Sequence, residues 1–133
     1  MASPFPLRGV VEGFYGRVWT WAQRQSVMEF AAAHGMNVYL YAPKMDPRHR
    51  MTWREPYGAS PMRRFADLVA LGRQRGMAFG WAIAPGLDMN YTAPADVEAL
   101  RRKLDAFWDI GCRTFGIRGR ERIGRRRCSR LRR

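Results

Sequence analysis

Apolar and polar positions follow two rhythms along this chain, one helical and one extended. After Thr20, apolar side chains recur at spacings of three and four, at Val27, Phe30 and Ala31, with His34 in the last turn. Thr20 and Gln23 form a capping-box pair that predicts the helix start, and Gly35 predicts its left-handed end. A second helix is predicted from Ser60, with Pro61 in the first turn, where a missing N–H costs nothing. Its face is Phe65, Leu68, Val69 and Gly72, and Gly76 ends it. A third opens near Thr92 to Pro94, with Asp96 and Glu98 in its first turn. Its expected stripe is Val97, Leu100, Leu104, Phe107 and Trp108, and Gly111 ends it. Each terminal glycine leads into a short apolar run: NVYLYAP (37–43), MAFGWAIAP (77–85) and RTFGI (113–117). An earlier run, GVVEGF (9–14), precedes the first helix.

The order is therefore β-α-β-α-β-α-β, which implies parallel strands joined by right-handed crossovers. The strands show little alternation, as expected when both faces are covered. Four strands and three helices make about half of a (β/α)8 barrel, which usually needs roughly 250 residues. The fold class is α/β, read as the N-terminal half of such a barrel. A doubly wound sheet fits the same pattern, although no Gly-rich phosphate turn follows the first strand, against its dinucleotide-binding version.

Composition agrees with a packed domain: 47% of the 133 residues are hydrophobic and 13% aromatic. No apolar run is long enough to cross a membrane, and MASPFPLRGVVEGFYG lacks the layout of a signal peptide, so a cytoplasmic location is the default. Cys112 and Cys128 imply neither a disulfide framework nor a metal site, and no cofactor is indicated. The net charge of +13 is concentrated at one end. Residues 118–133 hold nine arginines and one glutamate, while residues 1–117 hold 15 basic and 10 acidic residues. The chain thus divides into a body, 1–117, and a basic tail, 118–133.

In parallel α/β folds the chemistry sits at the carboxyl ends of the strands. Three such ends read EGFYGRVW (12–19), YAPKMDPRHR (41–50) and APGLDMNY (84–91), all rich in Gly, Pro, aromatic and charged residues. That mixture suits a polar ligand such as a sugar. In their longer context, RGVVEGFYGRVW (8–19), GMNVYLYAPKMDPRHRMTWREPY (35–57) and AIAPGLDMNYT (83–92), these blocks resemble glycoside hydrolase family 84, the β-N-acetylglucosaminidases. The resemblance runs over about residues 8–117.

It implies a (β/α)8 barrel that removes N-acetylglucosamine with retention, from a glycoside or glycoprotein. The sugar's own acetamido oxygen attacks the anomeric carbon, an exception to the two-carboxylate scheme. One aspartate of an adjacent pair orients the acetamido group; its neighbour protonates the leaving oxygen and later activates water. The resemblance places sugar contacts at Gly13, through its backbone, and at Lys44. It also exposes two departures. Met45 stands in a block that reads KDD in the family, and the catalytic strand, roughly FALLFDDI in the family, begins here as Phe115-Gly116-Ile117 and then diverges. Counted from Phe115, the two catalytic positions fall on Arg120 and Glu121. An arginine cannot accept a proton, and Glu121, a carboxylate at the general-acid position, stands in a stretch with no strand pattern, so no catalytic residue is assigned.

The remaining candidates have plainer readings. Tyr15 and Trp19 read as packing or turn residues before sugar platforms. His49 lies in a loop with no acid paired to it, and His34 reads as a helix-end residue. Asp46 and Asp88 read first as loop-capping carboxylates and Cys112 as a small buried apolar residue. The tail has three readings: a nucleic-acid-binding arm, a solvated end, or an out-of-frame continuation of the barrel gene, which its abrupt start favours. The expectation is a glycosidase fragment, inactive and poorly stable by itself. The alternative is a basic nucleic-acid-binding or non-catalytic sugar-binding module, with nucleic acid bound only through the Arg tail.

Overall fold

The computed structural model describes residues 3–119. They form β1 (Gly9–Glu12), α1 (Trp21–Ala33), β2 (Val38–Tyr41), α2 (Ala59–Arg75), β3 (Ala78–Ile83), α3 (Pro94–Asp109) and β4 (Thr114–Ile117), with single 3-10 turns at Pro47–His49 and Pro85–Leu87. Residues 120–133 of the tail, with the positions Arg120 and Glu121, lie outside the described residues.

All three strand pairings are parallel, in the order β1-β2-β3-β4. Chain order and spatial order coincide, as in a barrel; a doubly wound sheet would reverse direction at a switch point. Register separates the two faces of the sheet. Tyr39, Tyr41, Phe79, Trp81 and Ile83 join Met28, Ala31, Phe65, Leu68, Val69, Ala99 and Phe107 in one buried cluster beneath the helices. The opposite face carries Val11, Leu40, Gly80, Ala82 and Gly116, and its Val11 is 60% exposed.

Phe65 is the hub of the covered face. Its ring meets Trp21, Tyr41, Tyr57 and Phe107 at centroid distances of 4.9–5.1 Å, and Trp81 stacks on Phe107 at 4.1 Å. Truncating such a ring to alanine typically costs about 3–5 kcal/mol. The predicted face of α2 is the buried one, Phe65, Leu68, Val69 and Gly72. Its helix starts at Ala59 behind Gly58, one residue before Ser60, and ends at Gly76 with φ 67°. The capping box of α1 is present, with Gln23 N donating to Thr20 Oγ1 and Thr20 N donating to Gln23 Oε1.

Two faces differ from the sequence pattern. Helix α1 buries Arg24, Met28 and Ala31, while Phe30 is exposed and its ring sits 4.1 Å from that of His34. Arg24 goes inside because Glu12 is there to meet it. The guanidinium donates to both carboxylate oxygens at 2.8 and 2.9 Å, and Tyr39 Oη donates to the same carboxylate. Helix α3 buries Ala99, Lys103 and Phe107, leaving Val97 and Trp108 exposed. The Lys103 ammonium donates to the carbonyls of Arg48, Trp53 and Glu55, so all three N–H bonds are used inside. Both corrections have one cause: a charged residue with a complete set of partners displaces an apolar neighbour from the core.

Candidate binding cleft

The strand ends converge on an open cleft of about 780 Å³, lined by Tyr15 from the β1 end, Lys44 and Arg50 from the β2 end, Ala84, Gly86 and Leu87 from the β3 end, and Ile117 to Gly119 from the β4 end. The β1 and β2 loops are bonded together: Ala42 N donates to Glu12 O at 3.1 Å and Lys44 N to Phe14 O at 3.3 Å. Lys44 is thereby fixed at the wall of the cleft. Burial, followed by the nearby charges of Arg118 and Arg50, holds its ammonium below the ordinary lysine range. Gly13 sits directly after β1, with its N–H donating to Val11 O. It is not among the residues lining the cleft.

His49 has a role that its loop position concealed. Strand β3 continues past the end of β2, so its last groups on that side need other partners. The His49 ring supplies one, with Nδ1 donating to Ala82 O at 2.6 Å, and its carbonyl supplies the other, accepting from Ala84 N at 2.8 Å. Facing a carbonyl, Nδ1 carries the proton and Nε2 keeps a lone pair, which is buried without a partner among the described residues. Burial pushes the imidazole below its ordinary range. His49 is thus fully buried and pins the Lys44 loop to β3; it does not line the cleft as a base would.

The other candidates divide. Tyr15 is a turn residue, in the bend at residues 15–17, and does not pack: it is 67% exposed on the cleft wall, with Arg50 5.8 Å above its ring. Trp19 packs, its ring 5.1 Å from Phe14. Asp46 caps the Pro47–His49 turn through Arg48 N and also accepts from Tyr41 and Tyr57 hydroxyls at 2.6 Å. Asp88 accepts from Trp53 Nε1 and Arg54, which also holds Asp96 in a two-point ion pair and keeps that carboxyl down at about 2. His34 ends α1, its Nδ1 donating to Phe30 O, and Cys112 is buried. Among the described residues no group of three His, Cys, Asp or Glu side chains could hold a metal ion. Arg50 closes the strand-end block YAPKMDPRHR and Arg118 opens the basic tail, but nothing in the sequence placed the two side chains on one cleft with Lys44.

The profile of the β-N-acetylglucosaminidase family matches residues 8–125. The chain belongs to this family, glycoside hydrolase family 84. It is 43% identical over 111 residues to protein O-GlcNAcase of Rattus norvegicus and of Mus musculus, a match covering 84% of this chain and 12% of each relative. Among solved structures, a mutant O-GlcNAc hydrolase from Thermobaculum terrenum superposes with a TM-score of 0.83 at 40% identity, over 85% of this chain and 24% of that one. CpGH84B superposes with a TM-score of 0.80 at 40% identity, over 85% of this chain and 20% of that one. The family 84 fold is therefore represented here by part of its catalytic domain, four strands and three helices in the described residues. The α/β reading and the glycosidase resemblance hold.

Proposed function

We propose that the chain is the sugar-binding part of a retaining β-N-acetylglucosaminidase and does not hydrolyse a glycoside by itself. The observation that carries this reading is the family 84 match together with the Lys44 ammonium standing on the wall of a cleft at the strand ends. Lys44 donates to a sugar hydroxyl from the cleft wall; the backbone of Gly13, outside the cleft lining, is a second contact by family resemblance alone, and the ligand is a terminal N-acetylglucosamine on a glycoside or glycoprotein. Substrate-assisted attack by the acetamido group needs a carboxylate to orient the N–H and a second to protonate the leaving oxygen. Arg120 and Glu121 occupy those sequence positions; the arginine cannot accept the acetamido N–H, so the orienting carboxylate is missing whatever Glu121 does at the second. The body 1–117 accordingly carries Lys44 and Gly13, while Arg118 and Gly119, at the head of the tail, complete the lining of the cleft.

The test has two readouts on the 133-residue chain. N-acetylglucosamine added to 15N-labelled protein is expected to shift the amide signals of Gly13 and Lys44, and Lys44→Ala is expected to abolish the shifts. Release of p-nitrophenol from p-nitrophenyl N-acetyl-β-D-glucosaminide is expected to stay at the buffer rate. Turnover at a rate set by enzyme concentration would refute the inactive reading, and a ligand that leaves both signals unmoved would refute the binding one.

A further inference from the structure

The cleft has an electrostatic character that neutral-sugar binding does not require. Among the described residues, three cationic side chains, Lys44, Arg50 and Arg118, line it, and no acidic side chain does. The carboxylates around it are engaged elsewhere. Glu12 is held by Arg24 and Tyr39, Asp46 by Tyr41 and Tyr57, and Asp88 and Asp96 by Arg54. Among the described residues, Lys44, Arg50 and Arg118 form no ion pair. Each is also positioned by the backbone. The Lys44 amide bonds to Phe14 O, the Arg50 amide to Pro47 O, and the Arg118 amide continues the β3–β4 ladder by donating to Ile83 O at 2.8 Å. Tyr15 lies under Arg50 and flanks the opening. Like charges side by side favour a counter-charge, and the lowering of Lys44, caused first by burial, includes smaller contributions from Arg118 and Arg50.

We infer that this cleft is an oxyanion-binding site, selecting a ligand that carries a phosphate or carboxylate group between Lys44, Arg50 and Arg118. Arginine supplies a planar donor fork that matches either oxyanion, and the lysine adds a mobile point charge. The cleft is open to solvent, with Leu87 and Ile117 more than half exposed, so the attraction is expected to weaken as salt rises. An anionic sugar would satisfy both this inference and the sugar reading, but the anion site stands without the sugar.

Calorimetric titration of the full chain at low and moderate salt tests it, with inorganic phosphate, glucuronate, N-acetylglucosamine and N-acetylglucosamine 6-phosphate as probes. The phosphorylated sugar is expected to bind at least about tenfold more tightly than the neutral one at low salt, with the advantage shrinking as salt rises. Comparison of phosphate with glucuronate tells which oxyanion is preferred. Arg50→Gln and Arg50→Glu are expected to remove the advantage. Equal affinity for the charged and neutral sugars would overturn the inference. So would an advantage that survives both variants, since Arg50 would then take no part in binding the oxyanion. Phosphate binding that is lost in the Arg50 variants, without any binding of neutral sugar, would uphold the anion site and refute the sugar reading. Should the variants fail to fold, phosphate-induced amide shifts in the unmodified chain still decide: they fall at Lys44, Arg50, Gly86 and Arg118 if the inference holds, and only within 120–133 if it fails.

Discussion

Glu12 and Arg24 bury opposite charges with almost no access to water, the arginine being 4% exposed. Removing one partner leaves the other charge unpaired inside, so Glu12→Ala is expected to cost about 3–5 kcal/mol, measured by urea unfolding. Lys103 makes a prediction of opposite character. Burial, which outweighs the attraction of Asp46, lowers its ammonium from 10.5 to about 8. Below pH 8 the folded and unfolded chains both hold the proton, and above it the unfolded chain holds it more firmly, so stability rises with pH through this window. A gain of about 1 kcal/mol between pH 7.5 and 9 is expected in the urea midpoint, and Lys103→Met is expected to flatten it. His49 was readable in the sequence only as a loop histidine, because its partners are main-chain groups of β3, 33 residues away. His49→Asn can keep a donor near the Nδ1 position and is expected to retain sugar binding, whereas His49→Leu is expected to weaken it by freeing the Lys44 loop; titration of both variants checks this.

At the scale of the elements, α2 could be read almost completely from sequence, and α1 and α3 only in part. The reason is physical. The buried face of α2 is apolar and ends in a glycine, so local pattern and tertiary packing agree. Helices α1 and α3 each put a charged side chain into the core, Arg24 and Lys103, whose partners lie on other elements and leave no periodic trace. The strands were legible as apolar runs, each about one to three residues too long at its ends, where chain that looks extended serves the loops instead. Gly72 shows how tightly α2 meets the sheet. A Cβ there would meet the Met77 carbonyl oxygen well inside contact distance, and also press on Met28. Gly72→Ala therefore gains helix propensity but forces the helix off β3, and is expected to lose about 1–3 kcal/mol in thermal or urea unfolding.

At the scale of the molecule, the sheet has two free long sides among the described residues, at β1 and β4, and apolar surface beside them. Val11 and Ile117 are more than half exposed, as are Trp108 and Leu87. Unpaired strand edges next to apolar patches promote association, so the isolated chain is expected to sediment as a concentration-dependent mixture of oligomers, checked by analytical ultracentrifugation. The cleft was legible as a cluster of strand-end motifs, and Lys44 through its resemblance to family 84. Its basic wall was not, because Arg50 and Arg118 meet only when loops 68 residues apart are folded together. The sequential order β1-β2-β3-β4 has a further consequence, for the time course of synthesis. Every strand pairs with the one made just before it, so contacts are short in sequence and each new βα unit can dock as it leaves the ribosome, without waiting for distant partners. In such vectorial assembly β1 is the foundation and β4 the growing edge. A nascent chain paused after Ile117 would present that edge, with its unsatisfied backbone and exposed isoleucine, to whatever chaperone attends the exit tunnel.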